Sequence, residues 1–173
     1  MEFLTEHRIA LDLAGPLRRL YGDMALEILR DDPYLLVGEE FQVDFSQADA
    51  LALSLGVGHE DPLRLEAGLI FELSHNNWNN GHTFLPRGKL LEATGVLLEV
   101  PGELLEERLD ALLERGEAEE EAVAGQQAVY LPALHDAEAF IAQRIGEMSR
   151  REPMPPGELD ELVDRIQRRQ GIV

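Results

Sequence analysis

Apolar residues return every third or fourth position along almost the whole chain, and glycine or proline cuts the pattern at short intervals. Leu65, Leu69 and Leu73 recur every fourth residue, and Leu105, Leu109, Leu112 and Leu113 fall on one stripe. A period near that of the α-helix puts one face of each segment on a core. A chain so patterned folds as short helices joined by tight turns, with room for little sheet.

The punctuation predicts where each helix starts and stops. Ile9 to Tyr21 is helical in composition, but Gly15-Pro16 interrupts it. Either the helix kinks there or a new one begins with Pro16 in first place, where a missing N–H costs nothing. Met24 to Arg30 forms a helix with Ala25, Ile28 and Leu29 inward, stopped at Asp31-Asp32-Pro33-Tyr34. Ser46-Gln47-Ala48-Asp49 reads as a capping box that opens a helix running to Gly56. Asp61-Pro62 opens the next helix, which ends in the polar run Asn76 to Asn80 before Gly81.

His82 to Leu85 then reads as a short strand, and Pro86 restarts a helix through Leu91 and Ala93. Pro101 to Arg115 is a further helix, closed by Gly116. Glu117 to Val123 and Ala128 to Leu131 read as two strands around Ala124-Gly125-Gln126-Gln127. Helix, strand, helix, helix, hairpin is the order of a winged-helix domain, here 61–132. Ala133 to Arg150 is helical, with Leu134, Ala137, Ile141, Ile145 and Met148 along one face. The prolines of 151–157 make a linker, and Glu158 to Gln170 carries a last stripe of Leu159, Leu162, Val163 and Ile166. A stripe that follows a linker calls for a partner surface.

Little catalytic chemistry is available to these helices. The chain has 173 residues and no cysteine, which removes disulfides, thiolate nucleophiles and thiolate zinc sites. Gly88-Lys89 invites a phosphate loop, but the preceding glycine, Gly81, is too far away and Leu90 replaces the hydroxyl residue. His59, His75 and His82 lack the spacing that sets two ligands on one helical face, so no metal site is expected. Ser46, Ser54, Ser74 and Ser149 stand in no nucleophile elbow. Acidic pairs are too common to single out any catalytic couple. No catalytic, cofactor-binding or metal-binding residue is expected in this chain. Neither a signal peptide nor an apolar stretch long enough to span a membrane is visible, so a cytoplasmic protein without membrane partners is expected.

Charge bears on nucleic acid. Fifteen Lys and Arg stand against 34 Asp and Glu, a net charge of −19. A winged helix presents its third helix and its hairpin to DNA. Here that helix holds Glu103, Glu106, Glu107, Asp110 and Glu114 against Arg108 and Arg115. The hairpin adds Glu117, Glu119, Glu120 and Glu121. Phosphate neutralisation supplies most affinity for DNA, so this face should stay off it. An interdomain or protein-contact scaffold is the ordinary reading of such a wing.

Several segments in sequence resemble the N-terminal region of RecD-like ATP-dependent DNA helicases, the family that includes the alpha chain of exodeoxyribonuclease V. They are Tyr21-Gly22-Asp23 with Ala25, then Asp32-Pro33-Tyr34-Leu35-Leu36; Phe45 with Ala48-Asp49 and Leu55-Gly56-Val57; and Pro62, Arg64 and Ala67-Gly68-Leu69. Gly81-His82-Thr83-Phe84-Leu85-Pro86-Arg87 and Val129-Tyr130-Leu131-Pro132 follow, with Ala137-Glu138 and Ile141-Ala142 last. The resemblance implies a mainly α fold: a helix-hairpin-helix bundle over 1–57 followed by a winged-helix domain with a small β-hairpin over 61–132. A trailing helix (133–150), the linker (151–157) and a lead-in to a motor domain (158–173) complete it.

The resemblance also implies a function. The chain would be the non-catalytic accessory region of a 5′-to-3′ helicase, a fragment whose parent is a hydrolase using Mg-ATP in a C-terminal motor. Its partners would be single-stranded or junction DNA, that motor, and other protein subunits. The alternative is a stand-alone acidic winged-helix module for protein interaction or transcriptional regulation. For DNA contact the candidates are Arg8, Arg18 and Arg19, then Arg64 and Arg87, each with an ordinary surface arginine as its alternative.

One departure is informative. The family's Gly-Ile-Gly-Phe hairpin corresponds to Gln42-Val43-Asp44-Phe45, which puts a carboxylate where a phosphate would sit. The expectation is that this second hairpin has lost or weakened its phosphate binding.

Overall fold

The computed structural model describes residues 3, 5, 7, 9–38, 40–150 and 156–171. They form two compact units, Met1–His135 and Asp136–Val173.

The first unit begins with short helical pieces. A 3-10 turn at Leu11–Leu13 leads into α1 (Ala14–Tyr21), so Pro16 sits in the first turn of a new helix and makes no kink. Gly22–Met24 and Pro33–Val37 are further 3-10 turns, flanking α2 (Ala25–Asp31). The stop before Pro33 is as predicted, and Asp32 is extended, its carboxylate accepting the Tyr34 amide at 3.0 Å. The capping box is not what opens α3 (Phe45–Ser54). Asp44 is the cap, and its carboxylate accepts the Ser46 amide. Asp49 faces a different partner altogether.

α4 (Pro62–Asn80) starts from Asp61, whose carboxylate takes the Leu63 amide, and absorbs the whole asparagine run before left-handed Gly81. β1 (Phe84–Pro86) follows, then α5 (Arg87–Leu98) and α6 (Gly102–Glu114). β2 (Glu119–Val123) and β3 (Gln126–Tyr130) close a hairpin whose turn is only Ala124-Gly125, both at positive φ. Mirror-image turns of this kind match the twist of the flanking strands. β3 is the middle of an antiparallel sheet of order β1-β3-β2, with Leu85 opposite Val129 and Glu120 opposite Val129 on the other side. The glutamates of β2 therefore lie on an edge strand, where charge discourages pairing with another chain.

One apolar cluster runs through the unit, from Leu29, Leu36 and Leu51 to Leu69, Leu105, Leu109 and Val129. The leucine stripes of α4 and α6 are its middle: Leu65, Leu69, Leu73, Leu105, Leu109 and Leu112 are all buried. α4 and α5 can approach because residue 68 is glycine. A Cβ there would sit 2.7 Å from Leu98 Cδ1 and 3.2 Å from Thr94 Cγ2.

The second unit holds most of α7 (Pro132–Ser149) and all of α8 (Pro156–Gln170). Pro156 and Gly157, expected in the linker, belong to α8, since proline is accepted in a first turn. The rest of that linker, 151–155, lies outside the described residues. The predicted stripes exist, but Ile141, Ile145, Met148, Leu159, Val163 and Ile166 are exposed. Among the described residues no helix is long and apolar enough to cross a membrane.

Candidate nucleic-acid interface

The second hairpin links the Pro33–Val37 turn to α3, and three of its backbone amides, those of Phe41, Gln42 and Val43, donate within the chain. The Phe41 and Gln42 amides donate to the Gly38 carbonyl at 3.1 and 2.9 Å, and the Val43 amide donates to the Leu36 carbonyl at 2.9 Å. Asp44 Oδ1 accepts the Ser46 amide at 2.8 Å and its hydroxyl at 2.5 Å. These bonds, the hydroxyl's first and the amide's second, hold the Asp44 carboxyl below the usual carboxylate range. A helix N-terminus attracts anions, and here a carboxylate of the chain itself takes that place. Gln42 stands at φ 52°, a left-handed conformation that costs a residue with a Cβ about 1–2 kcal/mol.

Among the described residues the candidate arginines are not gathered into one patch of free guanidinium groups. Arg8 lies outside the described residues. Arg18 and Arg19 sit in the last turn of α1, both exposed, with Arg18 3.8 Å from Asp23.

Arg64 is not a surface arginine: its side chain is 5% exposed. Nε and one terminal nitrogen donate to the two oxygens of Asp49 at 2.8 and 2.9 Å. The other terminal nitrogen donates to the carbonyls of His59 and Leu98. The Tyr34 hydroxyl completes the network, donating to Asp49 Oδ1 at 2.6 Å. Burial first, then the neighbouring Asp49 carboxylate, drives the Tyr34 hydroxyl pKa far above its ordinary value. A phosphate could reach Arg64 only by replacing these bonds.

Arg87 is claimed by the acidic face. It donates to Glu120 at 3.0 Å and Asp110 at 2.6 Å, tying the start of α5 to β2 and α6. Arg115 is bound in the same way to Glu66 and Glu117, each at 2.7 Å, and Arg108 pairs with Glu107. Arg108 of α6 and Arg115 at its C-cap are thus spent on nearby carboxylates. Arg30, which the sequence did not single out, is exposed and lies 5.4 Å over the Phe3 ring. It stands in the last turn of α2, where a cation complements the helix dipole. Among the described residues no cluster of three or more potential metal ligands occurs.

Residues 1–84 match the family model of the ATP-dependent RecD2 DNA helicase HHH domain. The chain carries a RecD-like N-terminal helix-hairpin-helix region. It is also 28% identical over 134 residues to the ATP-dependent RecD2 DNA helicase of Deinococcus radiodurans. That alignment takes in 72% of this chain and 19% of the relative, so the chain spans about a fifth of that protein's length.

Proposed function

We propose that the chain is the non-catalytic N-terminal accessory region of an ATP-dependent 5′-to-3′ DNA helicase. It would position DNA or partner proteins for a C-terminal motor that binds Mg-ATP, in a protein of the cytoplasm. The observation that carries this reading is the helix-hairpin-helix match over residues 1–84. The helix, strand, helix, helix and hairpin of 62–130 are read as a winged helix turned away from DNA. Its third helix and hairpin carry Glu103, Glu106, Glu114, Glu119 and Glu121 exposed, while Arg87 and Arg115 are held by carboxylates. A stand-alone acidic winged-helix module is the reading that the similarity over 1–84 does not favour.

On this reading, DNA contact falls to the exposed Arg18 and Arg19, together with Arg8 of the segment His7-Arg8-Ile9. The second hairpin is read as contributing none, because its Phe41, Gln42 and Val43 amides and the Ser46 amide of α3 already donate within the chain. The test has two arms. The full reading frame that contains this chain should hydrolyse ATP in a manner stimulated by single-stranded DNA and should unwind a duplex with a 5′ tail. The chain alone should show no ATPase and bind labelled DNA only at the nonspecific level, roughly 10⁻⁴–10⁻⁶ M at physiological salt. A full reading frame without ATPase would overturn the helicase reading. A salt-resistant, submicromolar complex of the chain alone would overturn the blocked hairpin.

A further inference from the structure

The first unit contains an apolar groove of about 410 Å³ where the Pro33–Val37 turn and α3 meet α4. Phe45, Leu63, Ile70, Phe71 and Leu112 of α6 line it. Its aromatic lining is continuous: the Tyr34 and Phe45 rings stack at 5.6 Å, Phe45 and Phe71 at 4.7 Å, and His75 follows at 5.2 Å. Trp78, one turn further along α4, stands at the rim and is 57% exposed. A large apolar ring left in water beside an apolar groove is the usual mark of a contact surface.

The charge around the groove chooses the occupant. Asp32, Glu66 and Glu117 stand among its lining residues, and Arg115 is the cation paired to two of them. Bases also stack on exposed aromatic rings, but nucleic acid needs a positively charged track for its phosphates, and this rim is net negative. A protein segment carries no phosphate and can bring its own cation. Arginine or lysine would meet the carboxylates and the face of Trp78, while an apolar neighbour filled the groove. We propose that this groove docks a short protein segment in which a leucine-like or aromatic anchor is flanked by arginine or lysine. The groove's chemistry stands whether or not a helicase motor follows the chain.

The protein's single tryptophan reports on the site directly. The full chain is titrated with a fluorescein-labelled peptide of alternating leucine and arginine. Three controls accompany it: the peptide with serine for leucine, the peptide with glutamate for arginine, and labelled oligo(dT). The leucine–arginine peptide should bind saturably at one to one, blue-shift Trp78 emission and weaken as salt rises. Both altered peptides, and the Trp78→Ala and Ile70→Ser variants followed by peptide anisotropy, should bind at least about tenfold more weakly. Glu103→Gln, outside the groove, should change nothing. Equal binding of the serine–arginine peptide, or indifference to Trp78→Ala, would mean diffuse attraction to an acidic protein and would overturn the proposal. So would a Trp78 response to oligo(dT) in place of the peptide.

Discussion

Arg64 and Arg87 each bind a carboxylate closely, each joins distant parts of the first unit, and yet they stand in different solvents. The Arg64 side chain is 5% exposed and its partner Asp49 is 15% exposed. Arg87 is 24% exposed, with Asp110 at 61% and Glu120 at 21%. Around Arg64 the remaining donors and acceptors are also satisfied by Tyr34 and by the carbonyls of His59 and Leu98. Around Arg87, water can do that work. Desolvation is a cost in both places, but only at Arg64 does removing one partner strand the other in a medium that cannot solvate it. The lesson is that one guanidinium organises the fold while the other trims the charge of a surface.

The largest effect expected from breaking this contrast belongs to Arg64→Ala. It leaves Asp49 with only the Tyr34 hydroxyl for a partner, takes the Arg64 bond from two backbone carbonyls, and should cost about 3–5 kcal/mol in urea unfolding. The double variant Asp49→Ala, Arg64→Ala should lose less than the sum of the two single losses, because the stranded charge is gone as well. Additive losses would mean that the two groups act independently despite their 2.8 Å contact.

Tyr34→Phe comes next, at about 1 kcal/mol for a hydrogen bond removed with its acceptor still held by Arg64. This substitution also has a pH signature. Burial and Asp49 raise the folded-state pKa of the hydroxyl well above its ordinary 10.0. The unfolded chain gives up this proton near pH 10 and the folded chain does not. The contribution is thus complete below pH 10 and is lost as pH rises above it. Wild-type stability should therefore fall more steeply than that of the Phe variant between neutral pH and strongly alkaline pH. Parallel curves would remove Tyr34 from the network.

How much of this contrast the sequence foretells follows from what each part depends on. Helix positions were legible because leucine spacing and glycine or proline stops are local. The hairpin was legible because turn residues separated two short strands. The start of α3 was misplaced by a residue or two because Ser46 and Asp49 satisfy a capping pattern, while Asp44, just upstream, makes the bond. Nothing local distinguishes Arg64 from Arg87. Their fates depend on residues 15 and 33 positions away, Asp49 and Glu120, which only the tertiary fold brings into range. The same limit applies to the groove, whose walls come from segments separated in sequence, although Trp78 was visible all along. The face of α7 was read as a stripe, and its exposure in the second unit could not be read from periodicity alone.

Arg87→Ala sharpens the comparison from its weaker side. Two ion pairs vanish, a number that would suggest a loss as large as at Arg64 if contacts were simply counted. Partly exposed pairs are worth about 0–1 kcal/mol each after side-chain entropy and screening are included. Water can resolvate Asp110 in place, whereas Glu120, at 21% exposure, is left closer to uncompensated. The expected outcome is a destabilisation of about 1 kcal/mol or less, shrinking further as salt screens the carboxylates gathered on α6 and β2. Arg64→Ala should keep most of its penalty under the same salt, because ions do not reach a buried pair. Thermal unfolding of both variants at low and high ionic strength measures this difference. Equal, salt-resistant losses would mean that Arg87 holds the hairpin to α5 as firmly as Arg64 holds α4 to α3. The acidic edge would then be a structural seam of the fold, with its charge incidental to what it keeps away.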